Sequence, residues 1–462
     1  MFATFFAVAA LVLAASEPAK DPDLFWHLAS GQWMLDNGRL LDRDVFSSTR
    51  EGAPYAIGQW LGQVALALAF RSWGWAGIDL LRAALVGVAT LFLARAVLRV
   101  QPHPGWAALP IVAAVLVSRL AWGDRPQLFT LALFPVFFDV LLRARLGGGV
   151  RPLFLLPPLA LLWANLHGAF PLGLALVLGF TVEAVLSRHA LRRPLALVLI
   201  ASAIATQLNP ATAGALAWAA SYASSPGRHV VEERPTDVLS PAGALYAALL
   251  LAALGCALVL GRPGIRARVG PPLLWAGLIA PFAILGLAIQ RQMPYACVVL
   301  APFVAAALPA ALGRLPTTAP VAPRRLAVPF VVALVVAGTL GAVLSAPRDP
   351  DLGAYPVAAR EPLARTPGAL LNEYDWGGYL IYFVPERPVF IDGRGAALYV
   401  PGVLAEWTQA VEVRAGYQDV LTTRGIGAVL LRPHRPLVAA LRERGWPVVA
   451  ERVDRWILLA RP

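Results

Sequence analysis

Two aspartates, Asp21 and Asp23, open the stretch "DPDLFWHLASGQWMLDNGRLLDRDVFSST" (residues 21–49), directly after an apolar N-terminus. A carboxylate on such a loop can take the proton of an attacking hydroxyl. His27 follows Asp23 by four residues, so on a helix the two share a face. Further polar groups sit between long apolar runs: Asp124 and Arg125 in "GDRPQ", Asn165 and His167 in "NLHG", and Arg291 in "QRQM". Guanidinium groups suit the charge that develops on a departing phosphate. Asp23 or Asp21 is therefore a candidate base, and Arg291 or Arg125 a candidate phosphate partner. His27, Asp124, Asn165 and His167 are candidate substrate-binding groups. Each also has a plainer reading: packing beside Trp26 for His27, turn hydrogen bonds for Asn165 and His167, a local ion pair for Asp124 and Arg125, and snorkelling for Arg291. A second Asp-x-Asp, Asp42 and Asp44, flanks a turn and could cap a helix.

The elements that must position these groups are membrane helices. The chain is 58% hydrophobic and only 14% charged, against roughly 45–50% apolar in soluble domains. Apolar runs near the ~20 residues that cross a bilayer recur as far as position 346. The formal charge of +12 does not point to nucleic acid. Residues 1–346 carry 25 Lys and Arg against 14 Asp and Glu, whereas residues 347–462 carry 14 against 13. The excess lies in short loops between spans, where the positive-inside rule puts it. Cys256 and Cys297 fall inside apolar runs, as buried small hydrophobes do. No P-loop, G-x-G-x-x-G, G-x-S-x-G or zinc spacing is present.

Arginine clusters orient the spans. Arg95 and Arg99; Arg143, Arg145 and Arg151; Arg188, Arg192 and Arg193; Arg262, Arg266 and Arg268; and Arg314, Arg324 and Arg325 mark cytoplasmic loops. Threading between them places "GDRPQ", "NLHG", the polar stretch 209–240 and "QRQM" outside, so nearly all the polar groups above gather at one interface. Residues 59–73 are too short and too rich in glutamine to span, and read as a re-entrant or interfacial helix. The expected architecture is a polytopic α-helical membrane protein of about eleven spans. Residues 1–346 form the transmembrane domain, with 17–58 as its first extracytoplasmic loop, the N-terminus cytoplasmic and the C-terminus outside. A signal peptide over residues 1–16 is disfavoured because no positive n-region precedes it.

Residues 347–462 change character. "GALLNEY" reads as a strand, "WGGYLIYF" as a short helix, "PVFIDG" as a strand, 402–415 as a helix, "IGAVLLRP" as a buried strand and "WPVVAERVDRWILLAR" as a hairpin. A small extracytoplasmic α/β domain is expected, with Asn372, Tyr374, Asp392 and Arg394 near strand ends as candidate acceptor-binding groups.

The opening loop, followed by "QWLGQVALALAF", resembles the start of membrane glycosyltransferases of the GT-C class. More closely, "DPDLFWHL", "DVFSST", "DRPQLF", "LLWANLHGAFPLG", "RQMPYACVVLAP", "LLNEYDWGGYLIYFVPERPVFIDGR" and "RWILLAR" resemble a bacterial group of GT-C-like multi-spanning proteins over nearly the whole chain. The resemblance implies transfer of a sugar from a polyprenyl-phosphate donor to an envelope glycan, lipid or protein at the outer face of the bacterial inner membrane. Its acidic motif falls on Asp21 and Asp23. The class's second acidic motif has no sure match, so no cofactor is fixed; Mg²⁺ or Mn²⁺ on Asp21 and Asp23 is the one the resemblance suggests. A transporter or flippase of a lipid-linked or polymeric substrate, or a non-catalytic envelope assembly protein, are the alternatives.

Overall fold

The computed structural model describes residues 1–55, 58–211, 231–258, 272–314, 324–399 and 402–462. Arg262, Arg266, Arg268 and much of the polar stretch 209–240 lie outside the described residues. In chain order the principal helices are α1 (Phe2–Ala15), α2 (Leu24–Asn37), α3 (Trp60–Val100), α4 (Pro104–Ser118), α5 (Gln127–Arg145), α6 (Leu156–Leu166), α7 (Pro171–Leu186), α8 (Arg192–Ala205), α9 (Pro241–Ala257), α10 (Pro272–Ala288), α11 (Met293–Ala311) and α12 (Arg324–Ser345). They divide between two compact units: Met1–Pro18 with Trp73–Arg348, and Ala19–Ser72 with Asp349–Pro462.

The first unit is a helical multi-pass bundle. Among the described residues, five helices are long and apolar enough to cross a membrane: Trp60–Val100, Pro104–Ala121, Gln127–Arg145, Gln290–Ala311 and Val328–Ser345. Phe2–Ala15, Arg151–Leu166, Pro171–Leu186, Pro241–Ala257 and Pro272–Ala288 are shorter apolar helices. Several begin with proline in the first turn, where a missing N–H costs nothing; α4, α7 and α9 are examples. α11 is the most enclosed, buried along almost its whole length. Around it Phe134, Phe137, Phe138, Trp163, Phe180, Phe282 and Tyr295 form one aromatic core. α12 is exposed along most of its length and packs on α1. Gly338 permits that approach, since a Cβ there would come within 2.2 Å of Val8 Cγ1.

α3 is not one straight rod. Trp73 and Gly74 leave helical geometry, with Gly74 at φ +61°, where a side chain is disfavoured. The segment before the break belongs to the second unit and the segment after it to the first. The earlier segment is about 20 Å long, short of a bilayer core of about 30 Å.

The second unit carries a four-stranded sheet in the order β1 (Ala369–Asn372), β2 (Ile426–Leu431), β4 (Trp456–Ala460), β3 (Val448–Arg452). β1 runs parallel to β2, and β4 is antiparallel to both β2 and β3. All six residues of β2 are buried, as a strand covered on both faces requires, whereas β3 is a largely exposed edge.

Two differences from the sequence reading stand out. The loop 19–58 falls in one compact unit with the C-terminal residues. "PVFIDG" is not a sheet strand: Val389 makes a single parallel bridge to Ser47. Its N–H donates to Phe46 O (3.0 Å), and Ser48 N–H donates to Val389 O (2.9 Å). The run is apolar enough for a strand, but the early loop claims its backbone.

Candidate functional site

Polar groups gather in a separate cluster within each unit. In the second unit, Asp23 stands at the N-terminal end of α2 and donates its backbone N–H to Asp21 Oδ1 (2.9 Å). Trp26 Nε1–H donates to Asp23 Oδ1 (3.0 Å), fixing that carboxylate's orientation. Glycines let the backbone come this close. A Cβ on Gly393 would lie 2.0 Å from Asp23 Oδ1, and one on Gly378 would lie 2.8 Å from Pro22 O. Tyr355 stacks on Tyr379 (4.9 Å) beside this turn. Burial raises the Tyr355 phenol pKa, and the carboxylates of Asp21, Asp23, Asp375 and Asp351 raise it further, so the neighbourhood is strongly negative. Among the described residues no group of three or more His, Cys, Asp or Glu is placed to hold a metal ion. A metal on Asp21 and Asp23 would therefore have to complete its shell with water and substrate oxygens, as Mg²⁺ readily does.

His27 is buried, its Nδ1 3.2 Å from Gln63 Nε2 and its ring 3.5 Å from that of Trp26. The packing reading of this residue fits its surroundings.

The C-terminal candidates are mostly interior. Arg394 Nε donates to Asp392 Oδ1 (2.8 Å) and Nη2 to Asp392 Oδ2 (2.7 Å). Nη1 donates to Asp44 Oδ1 (2.5 Å). Tyr399 OH donates to Asp392 Oδ2 (2.5 Å), and Ser47 Oγ–H and N–H both donate to Asp44 Oδ2. The three charged side chains have no exposed surface. Burial works against the guanidinium, yet Asp392, Tyr399 and Asp44 hold its pKa well above the ordinary value. Burial, then Asp392, raise the Tyr399 phenol, which stays a neutral donor. Asn372, also buried, donates Nδ2–H to Ile391 O (2.8 Å) and accepts Phe390 N–H at Oδ1 (2.8 Å). These groups were candidates for acceptor binding, with a structural cap as the favoured alternative; the structure engages Asn372, Asp392 and Arg394 in tying 389–394 to β1 and to the early loop. Tyr374, partly exposed beside Trp407, is the one of the four at the surface.

In the first unit Asp124 is engaged by a residue far earlier in the chain. It is buried and accepts from Arg82 Nη1, while Arg82 also donates to Asp79 Oδ1 (2.9 Å) and to Ala14 O (3.0 Å). Arg125 donates to both oxygens of Glu232 (2.7 and 2.5 Å), and Arg291 Nη1 lies 3.1 Å from Glu233 Oε1. His167, at the turn between α6 and α7, has Nδ1 2.8 Å from Thr130 Oγ1. Burial lowers its pKa to about 3, and the Arg291 and Arg125 guanidiniums add to the effect. Tyr295, buried beside Gln127, lies within electrostatic reach of Arg291, Arg125 and Glu232. Asn165 donates to Leu161 O (2.9 Å) and Leu208 O (3.0 Å), and Asn209 to Ala164 O (2.7 Å), so both brace turns. Arg125, Arg291 and His167 are thus brought together, while Asp124 bonds Arg82 and Asn165 bonds backbone carbonyls.

Sequence reading missed Thr130 and the Asp79–Arg82 pair. The latter had a signal, since two ionisable residues three apart inside an apolar run are costly unless paired.

No protein-family model and no curated protein matches the sequence. Solved structures do share its fold. An Archaeoglobus fulgidus oligosaccharyltransferase, tethered with an acceptor peptide containing the NVT sequon, matches 93% of this chain and 69% of its own at 14% identity and TM-score 0.59. ArnT from Cupriavidus metallidurans in the apo state matches 99% of this chain and 97% of its own at 15% identity and TM-score 0.53. The same ArnT bound to undecaprenyl phosphate matches 98% and 96% at 14% identity and TM-score 0.52. The chain shares the fold of these proteins.

Proposed function

We propose that this multi-pass membrane protein is a glycosyltransferase that moves a sugar from a polyprenyl-phosphate donor to an envelope glycan, lipid or protein. The observation that supports this reading most is the end-to-end likeness of fold to ArnT, over nearly all of both chains. A donor that cannot leave the bilayer demands an enzyme at the membrane surface. Asp23, oriented by Trp26, takes the proton of the acceptor hydroxyl, with Asp21 shaping its turn. The acceptor oxygen then bonds to the anomeric carbon as the bond from that carbon to the phosphate oxygen breaks, inverting the centre. The polyprenyl phosphate leaves with the electron pair, a charge suited to a guanidinium, for which Arg291 or Arg125 is the candidate. A divalent metal on Asp21 and Asp23 would add charge neutralisation at the phosphate.

In this reading about eleven spans and a short interfacial helix lie in the bacterial inner membrane, with the N-terminus cytoplasmic and residues 347–462 outside. Tyr374 is the C-terminal candidate left to meet the acceptor. The test is Asp23→Asn in purified, monodisperse protein assayed with polyprenyl-phosphate sugars. Loss of about 10²–10⁴-fold in turnover is expected for removal of a general base. Transfer at the wild-type rate would end the assignment, and a transporter would instead keep its flux in that variant.

A further inference from the structure

We propose that His167 binds the donor lipid's phosphate as a neutral donor through Nε2–H, and that Thr130 and Trp163 are the positioning residues that fix this tautomer. The proposal rests on the phosphate reading of the Arg125 and Arg291 cluster and extends it to groups with no charge.

The argument follows the hydrogens. Trp163 Nε1–H can only donate, and it donates to Thr130 Oγ1 at 2.7 Å. Thr130's own hydroxyl hydrogen is then available for His167 Nδ1, 2.8 Å away. The backbone N–H of Ala169, again a donor only, also points to Nδ1 (3.4 Å). Two donors on one ring nitrogen leave it as a lone pair, so the ring proton must sit on Nε2. Thr130 and Trp163 have no exposed surface, which keeps water from rewriting the pattern. No protein group among the described residues takes up Nε2–H.

The charged surroundings agree. Burial first, then Arg291 and Arg125, oppose an imidazolium, and Glu232 and Glu233 are ion-pair partners of those two guanidiniums. A further cation would be costly here, whereas a neutral N–H adds a directed bond to a phosphate oxygen at no cost in charge. Tyr295, buried beside Gln127, lies in the same electrostatic neighbourhood.

The experiment measures binding of undecaprenyl phosphate to the full chain in phosphatidylcholine nanodiscs. Thr130→Val is expected to weaken binding about tenfold, the worth of one hydrogen bond to a charged group. Thr130→Ser should restore wild-type affinity. His167→Leu should lose about as much as Thr130→Val, and adding Thr130→Val to it should cost nothing more, because the relay then has no endpoint. An equal further loss in the His167→Leu background, or no rescue by serine, would show a packing role and overturn the proposal. Inorganic phosphate should not displace the lipid; displacement would overturn the assignment to a lipid phosphate. The double variant Arg125→Gln with Arg291→Gln separates the two levels. Unchanged binding there refutes the phosphate reading itself. Lost binding there, with Thr130→Val and His167→Leu at wild-type affinity, refutes only the histidine's part.

Discussion

Replacing Arg394 with methionine decides between two roles for the C-terminal charges. The guanidinium serves Asp392 through two bonds (2.8 and 2.7 Å) and Asp44 through a third (2.5 Å), all without exposed surface. Its loss leaves two carboxylates buried with one sign of charge. Hydrogen bonds from Tyr399, Ser47 and the Phe46 and Arg394 backbone N–H groups remain and soften the penalty. Removing one partner of a buried pair costs about 3–5 kcal/mol. A unit of roughly 150–250 residues shifts by about 2–4 °C per kcal/mol, so Tm should fall by about 6–20 °C. Thermal unfolding of the detergent-solubilised full chain, followed by tryptophan fluorescence, reads this directly. Arg394→Lys should rescue little, because a point charge cannot reach both carboxylates as the planar fork does. Adding Asp44→Asn to Arg394→Met should recover part of the loss, with a coupling of about 0.5–3 kcal/mol. A Tm within about 2 °C of wild type, together with a raised acceptor KM, would refute the structural role and return Arg394 to substrate binding.

Other outcomes follow from the same geometry. Glu232→Gln and Glu233→Gln remove the carboxylates that compete for Arg125 and Arg291; undecaprenyl phosphate should bind up to about tenfold more tightly and leave more slowly, with unchanged affinity counting against a shared anion site. Gly393→Ala puts a methyl group 2.0 Å from Asp23 Oδ1; displacement of that carboxylate should cut turnover at least about tenfold with KM for the donor little changed, and a fully active variant would show that Asp23 does not need its present place. Membrane-impermeant thiol labelling of single cysteines at positions 23 and 291, in a background lacking Cys256 and Cys297, should modify both from the same side of the membrane. Labelling from opposite sides would break the proposed reaction.

Much of this was readable in the residues, for reasons that differ by element. Runs such as 127–145 and 293–311 are apolar throughout, so helix and burial follow from composition alone. β2, "IGAVLL", is equally direct. "PVFIDG" misleads because its pattern specifies burial but not the partner, and the partner lies some 340 residues earlier, at Ser47 and Ser48. The same distance hides the fate of Asp44, which looks like a helix cap until Arg394 is placed beside it. Among the candidate residues, Arg125, Arg291 and His167 stand out in the sequence because polar groups are conspicuous between apolar runs. Thr130 was not, since a hydroxyl inside an apolar helix ordinarily satisfies itself and carries no sign of a distant imidazole.

The second unit is discontinuous in the chain, built from residues 19–72 and 349–462 with the bundle between them. The ribosome needs about 15–55 seconds, at roughly 5–20 residues per second, to make the roughly 280 residues in between. Throughout that interval Asp44 has no Arg394 and the turn at Asp23 has no Gly393 to rest on. A prematurely ended chain therefore inserts its helices but never builds the acidic cluster. Synthesis of the final quarter is what supplies the partners of both early turns.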